Sequence, residues 1–97
     1  MPTFITLVNW TDQGIKSIKE SPARLDMFKQ AADSMGCTVK DFYLVTGDFD
    51  IMVVVEAPDA ETAVKMSLAT SSKGAVRTKT LRAFPENEYR EIIASLP

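Results

Sequence analysis

The chain has 97 residues, with 11 Lys and Arg against 13 Asp and Glu, one cysteine and no histidine. That length makes one small domain, residues 1–97, and the evenly spread net charge of -2 excludes a basic stripe for nucleic acid or a polybasic patch for membranes. Without histidine there is no His-dependent triad, no haem ligation and no ordinary zinc site, so neither a metal nor a cofactor is expected. Cys37 has no partner for a disulfide, and residues 1–8 lack the charged start and long apolar run of a signal peptide, so the chain reads as cytoplasmic and unprocessed.

In chain order, "TFITLVNW" alternates and is rich in β-branched and aromatic residues. It predicts a first strand with Phe4, Thr6, Val8 and Trp10 on one face and Ile5 and Leu7 on the other. Both faces are apolar, the mark of a central strand. "TDQGIKSIKE" reads as a polar connection around Gly14 with a weakly helical tail. Ser21 and Pro22 then read as an N-cap and first helical residue, and Leu25, Phe28, Ala32 and Met35 recur at helical spacing up to Gly36.

"CTVKDFYLV" and "DIMVVVE", joined by Thr46-Gly47-Asp48, predict a hairpin. Asp59 caps a second helix whose face is Ala60, Val64 and Leu68, ending near Gly74. "AVRTKTLRAF" is the more polar fourth strand, an edge protected by Arg77, Lys79 and Arg82. Pro85 opens a terminal helix with Glu86 and Glu88 at its positive end and a stripe of Tyr89, Ile92, Ile93 and Leu96.

Strand, helix, strand, strand, helix, strand with two right-handed crossovers is the α+β, ferredoxin-like βαββαβ sandwich. It has a four-stranded antiparallel sheet, strands one and three in the middle, and here an additional C-terminal helix. Two helices cover one face of such a sheet. The apolar second face predicts a cover made partly by the terminal helix and partly by a second copy, hence a homodimer or higher homo-oligomer.

"WTDQGI", "FYLVTGDFDIMVVVEAPD" and "VRTKTLRAF" together resemble the GYD-domain family of small prokaryotic proteins, over nearly the whole chain. The resemblance implies a ferredoxin-like fold of the dimeric α/β-barrel type and no established reaction. At the Gly-Tyr-Asp element this chain reads Gly47, Asp48, Phe49, Asp50, with Phe49 in place of the usual tyrosine.

Asp48 and Asp50, two residues apart on a strand, share a face and could act as an acid and base pair; the other reading is a glycine turn with Asp48 bonding its own backbone. Trp10, Asp12, Gln13 and Arg82 are the ligand-binding candidates: an indole to stack on, polar groups in the following loop, and a cation for an anionic group. Asp50 and Tyr43 are the candidate catalytic groups. These readings favour a non-catalytic homo-oligomer that binds a small metabolite. The alternative is a cofactor-free enzyme, monooxygenase- or isomerase-like, of the dimeric barrel type; an RNA-binding module would need a basic surface that the composition lacks.

Overall fold

The computed structural model describes all residues 1–97. The strands are β1 (Thr3–Trp10), β2 (Thr38–Leu44), β3 (Ile51–Glu56) and β4 (Val76–Ala83); the helices are α1 (Asp12–Lys16), α2 (Ser21–Ser34), α3 (Ala60–Ser71) and α4 (Glu86–Ala94). The antiparallel sheet runs β2-β3-β1-β4, with the first and third strands central as their doubly apolar sequences demand. Antiparallel partners share a face, so the register sorts the sheet. Phe4, Thr6, Val8, Ile51, Val53 and Val55 are buried under α2 and α3, while Ile5, Leu7, Met52 and Val54 line the opposite face with Tyr43 and Leu81.

The segment after β1 is more ordered than a polar connection. Thr11 caps α1, its hydroxyl accepting from Gly14 N at 3.2 Å, and a 3-10 turn over Ile18–Glu20 runs straight into α2. Glu20 is already helical in backbone angles, so Ser21 is the first residue of α2 rather than its cap, and Pro22 holds the first turn. In β2 the pairing with β3 slips between Val39 and Asp41, a bulge that restores the inward direction for Phe42.

Asp59 caps α3 as its position predicts, accepting from Thr62 N at 2.7 Å. That hydrogen bond holds the Asp59 carboxyl below its ordinary value. A lowered folded-state pKa gives stability that is whole above the usual carboxylate range and is lost as pH falls through the lowered value. The melting difference between the wild type and Asp59→Ala should therefore be largest near neutrality and shrink in acid; a difference independent of pH would refute the capping role of the charge.

The inward face of α3 differs from the expected stripe. Ala63 and Met66 are buried, whereas Val64 and Leu68 are exposed. The side turned to the sheet carries Ala63, Met66, Ser67 and Ser71, and there Ser67 Oγ lies 2.6 Å from Thr80 Oγ1 and Ser71 Oγ lies 3.2 Å from Thr78 Oγ1.

The terminal helix forms where predicted, with Glu86 and Glu88 in its first turn, but its apolar stripe is not buried. Tyr89, Ile92, Ile93 and Leu96 are all exposed, and α4 makes only sparse contact with the body of a molecule 51 Å long and 18 Å thick. Arg82 holds its base: Nη2 lies 3.6 Å from Glu88 Oε1, and the guanidinium stacks 4.3 Å from the Phe84 ring centre. The outer face of the sheet therefore has no cover within one chain.

Gly47 has φ +108°, and a side chain there would meet nothing within 4 Å. The cost of replacing it is therefore backbone strain alone, and Gly47→Val should lose about 1 to 3 kcal/mol. A thermal melt checks this, an unchanged midpoint being the contrary result.

Candidate functional site

Between the sheet and its two covering helices lies a cleft with a cavity of about 170 Å³. It exists because α2 and α3 barely touch each other over the sheet. Leu25, Phe28 and Met35 of α2 are only half-buried, and no large side chain anywhere in the molecule is fully enclosed. Close-packed interiors leave few voids larger than a water molecule, so space on this scale is a binding feature before it is a packing one. The floor is Phe4, Val8, Ile51 and Val53, the walls Phe28 and Met66.

One end of the cleft is polar. There Trp10, Arg24 and Lys73 converge through the backbone of the first loop. Arg24 Nη2 donates to Gly14 O at 3.4 Å and Nη1 donates to Ser17 O at 3.3 Å and Ser17 Oγ at 3.1 Å. The loop is in turn fastened to the end of α3, with Thr11 Oγ1 donating to Gly74 O at 2.6 Å, Thr11 N to Ala75 O at 3.0 Å and Gln13 Nε2 to Lys73 O at 3.5 Å.

Of the residues singled out by sequence, Trp10 lies in this cleft, half-buried against the core. Asp12 and Gln13 are exposed on α1, Gln13 spending an amide hydrogen on the Lys73 carbonyl. Arg82 does not join them: it pairs with Phe4 at one end of β1, whereas Trp10 pairs with Val76 at the other. Asp50 is engaged in backbone contacts. Its Oδ2 accepts from Trp10 N at 3.0 Å, while its own N–H reaches Val8 O and its carbonyl receives Val45 N, each at 2.9 Å, so it ties the hairpin to β1. Asp48 is exposed, and Tyr43 stands on the uncovered sheet face beside Met52. No acid and base pair is assembled from these groups. Phe49 is half-buried with Lys79 Nζ 5.8 Å from its ring centre, a packing role in which no phenol is needed. Burial pushes the Cys37 thiol up, with the charge of Asp59 adding to it, which disfavours the thiolate.

Arg24 and Lys73 were not among the sequence candidates. Arg24 stands four residues before Phe28 on the apolar side of α2, and a cation in that row is the signal that marks it. Lys73 carries no such signal, because only the tertiary fold brings the end of α3 to the loop after β1.

Sheet order, crossovers and terminal helix define a ferredoxin-like α+β domain. The GYD domain model matches residues 4–93, and the chain belongs to the GYD domain family. It is 40% identical over 86 residues, 88% of this chain and 90% of the relative, to the glutamine synthetase and cystathionine beta-lyase binding protein of Thermus thermophilus. Among solved structures it resembles the feast or famine regulatory protein from Mycobacterium tuberculosis complexed with L-methionine, at a TM-score of 0.65 and 17% identity. That match covers 87% of this chain and only 50% of the regulator, so the chain spans about half its length. It also resembles FFRP-DM1, at a TM-score of 0.59 and 22% identity over 87% of this chain and all of that one. No helix is long and apolar enough to cross a membrane.

Proposed function

We propose that this GYD domain is a non-catalytic, cytoplasmic, homo-oligomeric binding protein that takes a small metabolite and docks on metabolic enzymes. The observation that carries the self-association is the uncovered sheet face. Ile5, Leu7, Met52 and Val54 lie across its two central strands with Leu81 and Tyr43 beside them, and the exposed stripe of α4 adds four large apolar side chains. A contiguous apolar surface of this kind on a small domain marks an interface. From strand spacing and rise the sheet face alone is roughly 400 Å² in plan, while a stable interface uses about 800 Å² per partner. The α4 stripe supplies surface of the kind that closes that gap, so α4 belongs to the interface.

Docking on enzymes is supported by the Thermus relative, whose name states that it binds glutamine synthetase and cystathionine beta-lyase. Enzymes of amino-acid metabolism are accordingly the partner class to test. Binding rather than turnover is favoured by the cleft, whose walls carry hydroxyls, one indole and two cations and no carboxylate, phenol or thiol. Light scattering of the purified protein at micromolar concentration should give at least twice the chain mass of 10.7 kDa. A monomer at all concentrations would overturn the self-association. Co-elution with purified glutamine synthetase of the same cells on a sizing column tests the docking, and separate elution would count against it.

A further inference from the structure

We propose that the cleft between α2 and α3 is a binding site for a compact apolar monocarboxylate, an aryl or short branched alkyl acid, with its carboxylate between Arg24 and Lys73 and its body over Phe28 and Met66. This deepens the metabolite half of the reading above and rests on it. The size fits: the cavity is about 170 Å³, and an apolar cavity of about 150 Å³ accommodates a benzene ring. The walls also fit, since most of the lining is hydrophobic and its two cations, Arg24 and Lys73, are both tied to the first loop at the Trp10 end.

The charge selects the ligand class. Both charged groups that line the cleft are cations. Lys73 has no carboxylate within 4.0 Å, and the acid nearest Arg24 is Glu20, at 4.0 Å. Arg24 uses three of its five N–H groups on Ser17 and Gly14, which fixes the guanidinium and leaves two donors free. A fixed fork with spare donors, lining the same cleft as a lysine ammonium, matches a carboxylate better than any neutral group. The apolar floor meanwhile rejects a strongly hydrated body such as a sugar or a dicarboxylate, which would leave polar groups unpaired.

The test is a titration of the intact protein with 3-phenylpropionate and, in parallel, with the uncharged 3-phenylpropanamide, followed by Trp10 fluorescence and by calorimetry. The acid should bind saturably in the sub-millimolar range and the amide about tenfold more weakly or worse, a gap of about 1.4 kcal/mol. Lys73 is exposed and pairs with no acid, so Lys73→Gln should fold normally and lose about tenfold in affinity for the acid while leaving the amide unchanged, and Lys73→Arg should recover most of the loss. Equal binding of acid and amide, an unaffected Lys73→Gln, or no saturable response to the acid would each overturn the proposal. Light scattering on the same samples reads self-association separately, so failure at one site is not mistaken for failure at the other.

Discussion

Gly14→Ala should be the most damaging single-methyl change in the chain. A Cβ on Gly14 would sit 2.0 Å from the carbonyl oxygen of Ala75 and 3.0 Å from its carbon, both backbone atoms that no rotamer change can move. The same carbonyl receives Thr11 N at 3.0 Å, so moving α1 away breaks that bond and strains the Thr11 hydroxyl contact to Gly74. Over-packing against a fixed atom together with a lost hydrogen bond should cost about 3 kcal/mol or more. For a domain of this size that lowers the melting midpoint on the order of 15 °C. A melt within a few degrees of the wild type would show that α1 does not press on the start of β4 in solution.

Val54→Lys should abolish the proposed self-association while leaving the fold intact. Val54 stands between Ile5 and Asp41 on the uncovered face, so in a free chain the new ammonium meets water and Asp41. In a symmetric sheet-to-sheet dimer the same change is buried twice, once from each copy. Drawing that ammonium and its Asp41 partner out of water costs several kcal/mol, and two such burials should weaken association at least about a hundredfold. Light scattering at micromolar concentration should then read the single-chain mass, with the far-ultraviolet circular dichroism of the wild type. An unchanged oligomer would place the interface elsewhere, for instance on α4 alone.

The strand order, the sorting of Phe4, Thr6 and Val8 from Ile5 and Leu7, the cap at Asp59 and the turn at Gly47 were legible because each follows from local spacing or from the backbone needs of one residue. The fate of α4 was not. A stripe of Tyr89, Ile92, Ile93 and Leu96 states that a helix wants an apolar neighbour, not whether that neighbour is its own sheet or another chain. The rotation of α3 was hidden for a related reason: Val64 and Leu68 outweigh Ser67 and Ser71 on any hydropathy scale, yet it is the Ser67 and Ser71 side, with Ala63 and Met66, that meets β4 and the sheet. Of the candidate site, Trp10 was readable from its place at the end of a central strand. The separation of Arg82 from it followed only from the register, and the meeting of Arg24 with Lys73 only from the packing of the first loop on the end of α3.

The two hydroxyl pairs between α3 and β4 have a mechanical consequence. Hydrogen bonds fix direction as well as distance, so they hold one wall of the cleft to the sheet, while the other wall, α2, rests on apolar contact alone, with Ala32 buried and Leu25, Phe28 and Met35 half-buried. The two sides of the cleft are thus held in different ways, one by directional bonds and one by shape. Arg24 carries the α2 side on to the loop that holds Gly14 and Ser17, so the apolar wall is joined to the rest of the domain at the far end from the base of α4.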